Sequence, residues 1–144
     1  MLNNYFCFLI NSLSSILYGR EYNKFVNTKS IEQVQREKLM EILEKNKDTL
    51  YGIEYNFSSV TSVKEYRENV PITQYEDYEE YIEKIKNGEE GILTSEKVLL
   101  LEPTSGSTSP TKYIPYTGSL KKEFQNSLKP WIYNLYSKNK VSIL

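Results

Sequence analysis

Val98-Leu99-Leu100-Leu101 is an unbroken apolar run of strand length, set between Lys97 and Glu102. A run with no polar alternation predicts a strand buried on both faces. Directly after it comes Pro103-Thr104-Ser105-Gly106-Ser107-Thr108-Ser109-Pro110-Thr111-Lys112, almost wholly small and hydroxylic, which reads as a loop. Tyr113-Ile114-Pro115-Tyr116 then reads as a short extended piece, with Pro115 confining it to a sheet edge or a strand end. Thr117 can cap a last helix with the stripe Leu120, Phe124, Leu128, Trp131, Ile132 and Leu135, which Pro130 is expected to kink.

Before that stretch the signals are helical. Ser30-Ile31-Glu32-Gln33 has the capping-box form, in which the Ser hydroxyl accepts from the fourth residue's amide and that residue's side chain reaches back. Ile31, Val34, Leu39, Ile42 and Leu43 follow at near-helical spacing, predicting an amphipathic helix to about Lys47. Ser62-Val63-Lys64-Glu65 opens a short helix that Pro71 must stop. Thr73-Gln74-Tyr75-Glu76 has the same form and leads through Tyr78, Tyr81, Ile82 and Ile85 to Gly88, which is placed to end the helix. Tyr5 to Tyr18 reads as a partly buried helix. It has no leading Lys or Arg to make it a secretion signal and is too short and polar to span a bilayer. Helices, then strand, loop, strand and helix predict an α/β fold class, with residues 1–144 as part of a larger N-terminal domain. Val141-Ser142-Ile143-Leu144 ends on an apolar run, as expected of a chain truncated at its C-terminal end.

Composition narrows the functions open to the 144 residues. Eighteen Lys and Arg against 19 Asp and Glu give a net charge of −1, far from the basic balance of a nucleic-acid or anionic-membrane binder. There is no histidine, which excludes a Ser-His-Asp or Cys-His nucleophile and any His-ligated metal built from this chain alone. One cysteine, Cys7, excludes an internal disulfide and a Cys cluster for zinc. No catalytic side chain and no metal-ligating set is read in the chain, and a cytoplasmic location is expected.

Chemistry is therefore expected in the loop. Thr104, Ser105, Ser107, Thr108, Ser109 and Thr111 offer hydroxyls, and Gly106 allows close approach to backbone N–H groups. Lys112 adds a compact positive charge suited to phosphate oxygens. By composition alone the same stretch also reads as an ordinary solvated turn of a non-catalytic binding or interaction module. It is not a Walker A loop: counting from Gly106, Thr111 stands where the second glycine belongs, and Tyr113 where Ser or Thr belongs. The acidic, tyrosine-rich run Tyr75 to Glu83 reads as a helix with one solvated face, and Trp131, Phe124 and Tyr133 as core.

The order Thr104-Ser105-Gly106-Ser107-Thr108-Ser109-Pro110-Thr111-Lys112 resembles the phosphate-binding signature of adenylate-forming enzymes, Thr-Ser-Gly-Thr-Thr-Gly-x-Pro-Lys, with its nine-residue length kept. Ser109 replaces the second glycine, and Pro110-Thr111 stands where x-Pro is usual. Within that superfamily the chain resembles the plant auxin-responsive acyl-acid amido synthetases and their bacterial relatives. The matching stretches are Asn46-Lys47-Asp48-Thr49-Leu50-Tyr51-Gly52, Val70-Pro71-Ile72, Tyr75 to Ile82, Asn87-Gly88-Glu89, Ile92-Leu93-Thr94, the loop itself, and Lys112 to Thr117.

The resemblance implies a ligase that joins a small carboxylic acid to an amino acid. The carboxylate first attacks ATP, with Mg2+, to give an acyl-adenylate, from which the amine then displaces AMP. It implies that Thr104, Ser105, Gly106, Ser107, Thr108, Ser109 and Lys112 hold the β- and γ-phosphates. Family members are several times longer, so this N-terminal (adenylation) portion is expected to be inactive alone. Nucleotide, small carboxylic acid and amino acid are the implied partners, with no nucleic acid and no membrane.

Overall fold

A computed structural model describes residues 2–28, 30–104 and 111–138, with the backbone alone for residues 2–4. Two compact units are present: one holds the first and last helices, and the other runs from Ser30 to Gly118.

In the longer unit, α2 (Ile31–Asn46) starts where Ser30 accepts from Gln33 N at 3.2 Å. The Gln33 amide nitrogen turns forward to Glu37 at 2.8 Å. Thr49 caps α3 (Leu50–Glu54), its hydroxyl accepting from Gly52 N at 3.0 Å and donating to Asn46 O at 2.7 Å. A 3-10 turn, Phe57–Ser59, leads to α4 (Val63–Asn69), whose Ser62 cap accepts from Glu65 N at 3.2 Å. Glu65 reaches back to Thr61, taking its backbone N–H at 2.7 Å and its hydroxyl at 2.9 Å. These hydrogen bonds, led by the Thr61 N–H, hold the Glu65 carboxyl below the usual carboxylate range.

The third box lies one residue later than the sequence predicts. Gln74 N donates to Asp77 Oδ2 at 2.8 Å, while the Thr73 hydroxyl bonds the Tyr78 hydroxyl at 2.7 Å. A 3-10 turn, Tyr75–Tyr78, opens the segment, and α5 (Glu79–Lys86) continues it. Gly88, at φ 88°, ends α5 as predicted. Its N–H bonds Ile85 O at 3.0 Å and Glu89 N bonds Lys84 O at 3.1 Å, the paired bonds of a Schellman stop.

β1 (Val98–Pro103) and β2 (Tyr113–Thr117) form a two-stranded antiparallel sheet, so the fold class is α/β, mostly helical. Pro115 lies opposite Leu101, on a strand with one partner among the described residues, where its missing donor is readily tolerated. The expectation of a strand buried on both faces is corrected: Leu99 is 57% and Leu100 47% exposed. An irregularity between Val98 and Leu100 sets Leu99 aside from the pairing. Val98 and Leu101, an odd interval apart, thereby both pack on the Ile82, Ile85 and Ile92 cluster. The neighbouring cluster of Leu43, Tyr51, Phe57 and Val60 is wrapped by Leu39, Met40, Tyr55, Tyr66, Tyr78 and Tyr81.

In the other unit, α1 (Leu2–Val26) and α6 (Gly118–Lys138) meet through Tyr22 and Tyr133, whose ring centres are 4.5 Å apart. Gly19 lies under the Tyr133 ring, where a Cβ would come within 3.2 Å of it. Helix α1 buries its small and polar side, Cys7 and Asn11, and exposes Tyr5, Phe6, Leu9, Leu13, Ile16 and Leu17. Pro130 lies inside α6, which runs on past it. The reading of Trp131 and Phe124 as core is also corrected: they are 63% and 58% exposed, while Tyr133 is the half-buried member of the three. No described helix is long and apolar enough to cross a membrane.

Candidate functional site

The hydroxyl-rich loop joins β1 to β2 across the open end of the antiparallel pair. The ladder carries its ends together: Pro103 pairs with Tyr113, and one residue further out Thr104 N donates to Lys112 O at 2.8 Å. Of the residues expected to hold phosphate, Thr104 and Lys112 therefore meet at the loop's base. Ser105, Gly106, Ser107, Thr108 and Ser109 lie outside the described residues.

Two side chains from the turn before α5 hold the Lys112 end. The Tyr75 hydroxyl accepts from Tyr113 N at 2.7 Å, so a phenol takes up the first strand amide after the loop. Lys112 Nζ lies 3.2 Å from Glu76 Oε1 and 5.1 Å from the centre of the Tyr75 ring. The Glu76 carboxyl is held below the usual carboxylate range by its own backbone N–H first, and then by the Lys112 ammonium. On the following residue, Lys86 lies 4.6 Å over the Tyr113 ring. Glu83, its hydrogen-bond partner, raises the Lys86 pKa.

Tyr75 and Glu76 escape a reading of the sequence as site residues. They lie 38 and 36 positions from their partners, and their local pattern signals only a helix start. The one local hint is that a Tyr and a Glu open that run together, an aromatic face and an anion able to receive one lysine.

The remaining geometry fixes the scaffold under the sheet. Leu50 N donates to Gly91 O at 2.8 Å, Tyr51 N to Ile92 O at 3.1 Å, and Ser95 N to Asn46 Oδ1 at 3.0 Å. Lys45 and Glu96 form an ion pair on the same seam. The start of α3 and the segment leading into β1 are thus bound backbone to backbone. Tyr51 lies at the centre, its hydroxyl 3.2 Å from that of Tyr78. Burial pushes the Tyr51 phenol pKa well up, the Tyr78 hydrogen bond adding to it. Tyr81 donates to Glu54, and that bond is the main cause of its own raised pKa.

A polyphosphate suits the donors that are described: a compact ammonium, 36% exposed, at the closed base of a loop. Among the described residues no group of three or more acidic or cysteine side chains is gathered to hold a metal.

Residues 23–143 match the family model for the GH3 family N-terminal domain. A jasmonoyl–L-amino acid synthetase of Nicotiana attenuata, JAR4, is 31% identical over 97 residues, 66% of this chain and 17% of that protein. An indole-3-acetic acid-amido synthetase of Arabidopsis thaliana, GH3.5, is 34% identical over 82 residues, 57% of this chain and 13% of that protein. Another from Arabidopsis, GH3.15, is 33% identical over 92 residues, 62% of this chain and 15% of that protein. The chain thus spans only a small part, no more than 17% by these matches, of the curated relatives. Both strands, the loop between them and the turn that carries Tyr75 and Glu76 fall within the matched residues, and the chain belongs to the GH3 family through its N-terminal domain.

Proposed function

We propose that this chain is the N-terminal portion of an ATP-dependent acyl-acid amido synthetase, and that its loop holds the β- and γ-phosphates of ATP. The observation that carries the reading is the closure of the loop by Thr104 N and Lys112 O at 2.8 Å. That bond keeps the lysine at the base of the stretch that carries, in sequence, the hydroxyl residues Ser105, Ser107, Thr108 and Ser109. Lys112 supplies charge, the hydroxyls and backbone N–H groups of the loop supply directional donors, and Gly106 leaves room for the phosphate to approach. None of them needs to move a proton. Their work is to position the phosphates and to offset charge that grows on the departing pyrophosphate. ATP with Mg2+ supplies the activating group for the carboxylic acid, and an amino acid then completes the amide. Family membership and the amido synthetase relatives support this assignment of substrate classes. A cytoplasmic setting goes with it, since ATP and free amino acids are met there.

Isothermal titration of the 144-residue chain with ATP and Mg2+ tests the reading. Binding that Lys112→Ala weakens at least tenfold is the expected result, and equal affinity for both proteins refutes it. ATP–pyrophosphate exchange by the chain alone is expected to stay at background.

A further inference from the structure

We propose that Glu76 competes with polyphosphate for the Lys112 ammonium, so that binding of polyphosphate to Lys112 requires this ion pair to open. The inference rests on the phosphate-loop reading above and adds a control element to it.

Lys112 has three N–H donors on one nitrogen, and the Glu76 carboxylate engages it at 3.2 Å while the Tyr75 ring covers another side at 5.1 Å. A phosphate arriving at the same nitrogen brings a second anion within a few ångströms of the carboxylate. That separation is shorter than the Debye length of about 8 Å at physiological ionic strength, so the repulsion between them is felt there and fades as salt is added. One of the two must therefore yield.

The pair is built to yield. Its side chains are 36% and 59% exposed, so the carboxylate can turn into water without leaving a buried charge. A triphosphate offers the same nitrogen several charged oxygens in place of one carboxylate. Nor does the turn depend on the pair: Gln74 N is already satisfied by Asp77, and the Tyr75 hydroxyl independently takes Tyr113 N. That second bond ties the residue before Glu76 to the residue after Lys112. Carboxylate and ammonium are thus brought into register by backbone and phenol, and their own attraction is not needed to hold the strand. Glu76 is in this sense a positioning residue that sets how readily Lys112 is released.

Titrating inorganic tripolyphosphate into the wild-type chain, Glu76→Gln and Lys112→Ala separates the possibilities. Glu76→Gln is expected to bind about two- to fivefold more tightly than wild type, the range an exposed ion pair commands, and Lys112→Ala at least tenfold more weakly. The gain for Glu76→Gln should shrink toward unity in 0.5 M salt. If Lys112→Ala weakens binding but Glu76→Gln binds no tighter than wild type, the competition is overturned while the loop reading stands. If Lys112→Ala binds like wild type, or none of the three binds, the loop reading itself fails and takes this inference with it. Should Glu76→Gln not fold, Glu76→Asp draws the carboxylate back by one methylene. A smaller tightening is then expected, and unchanged or weaker binding overturns the competition.

Discussion

The carbonyl oxygen of Asn46 lies so close to Gly52 that a Cβ on residue 52 would stand 2.0 Å from it. No rotamer change relieves that contact, because the obstacle is backbone and not the end of a flexible side chain. Gly52 belongs to α3, where glycine is ordinarily the poorer choice and alanine favours the helix by up to about 1 kcal/mol. The close approach reverses the sign. It lets the end of α2 fold back on the start of α3, so that Thr49 and Asn46 can meet.

Gly52→Ala is accordingly expected to destabilise the unit from Ser30 to Gly118. The Asn46 turn must open, at a cost of roughly 1–3 kcal/mol of the kind seen on overpacking. Thermal unfolding followed by circular dichroism should show a fall in midpoint of several degrees. An unchanged or raised midpoint would mean that the turn relaxes freely.

Thr49 sits in the same turn and is 1% exposed, with its hydroxyl both accepting from Gly52 N and donating to Asn46 O. Thr49→Val keeps the shape and takes the acceptor from the buried Gly52 N–H, while Asn46 O keeps the Thr49 N–H at 3.1 Å; the unmet donor costs about 1–3 kcal/mol. Thr49→Ser restores both bonds and is expected to recover most of the loss. Denaturant midpoints of the two variants provide the comparison, and equal values would remove the hydroxyl from the account.

Where the sequence was legible, the chemistry was local. Ser30 and Ser62 cap as their spacing predicts, because a cap needs only residues three apart, and Gly88 ends α5 because only its own backbone must turn left-handed. The third box slipped by one residue when a distant group competed: the Tyr78 hydroxyl drew Thr73 away, and Asp77 turned Gln74 into the cap. The strand at Val98 was visible as an apolar run, but its exposure followed from the irregularity at Leu99 and from having a single partner strand among the described residues. In the candidate site, Thr104 and Lys112 were marked by their loop. Tyr75 and Glu76 were not, since their roles exist only once residues some three dozen positions apart are folded together. Helix α1 is partly buried as its sequence led one to expect, through Cys7 and Asn11, and it leaves exposed an apolar face that includes Leu9, Leu13 and Ile16.

That exposed face gives a further expectation. Leu9 and Ile16 are 65% and 77% exposed, so replacing either with Lys removes few contacts and should change stability by no more than about 0.5 kcal/mol. The Leu9→Lys, Ile16→Lys double variant should bind less of a hydrophobic dye such as ANS than wild type, since contiguous apolar surface is what the dye senses. A large loss of stability would show instead that these side chains carry packing.

Alkaline pH probes the tyrosine cluster. The phenol pKa values of Tyr51 and Tyr81 are raised, the first chiefly by burial and the second chiefly by the bond to Glu54. An unfolded phenol ionises near pH 10, so above that pH the unfolded chain loses protons that the folded one keeps, and stability falls as pH rises. The contribution is whole below about pH 10. Denaturant midpoints should therefore decline above that value, and less steeply in Tyr51→Phe, which has one fewer phenol to ionise on unfolding. Parallel declines in the two proteins would mean that Tyr51 titrates alike folded and unfolded.

Tyr75 offers the sharpest separation of scaffold from site. Its hydroxyl accepts from Tyr113 N at 2.7 Å, and its ring lies 5.1 Å from Lys112 Nζ. Tyr75→Phe keeps the ring and removes only the acceptor, so the Tyr113 amide loses its partner at the first rung beyond the loop. The cost is expected at about 1 kcal/mol, that of one typical hydrogen bond. Hydrogen exchange should quicken at the Tyr113 amide and leave the Schellman amides of Gly88 and Glu89 unaffected, because those bonds lie within α5 and its own stop. Because Glu76 is held in register with Lys112 partly through that phenol, Tyr75→Phe should also loosen the ion pair, and tripolyphosphate affinity should move in the same direction as in Glu76→Gln. Quicker exchange with unchanged affinity would confine Tyr75 to the sheet and leave Glu76 to find Lys112 unaided.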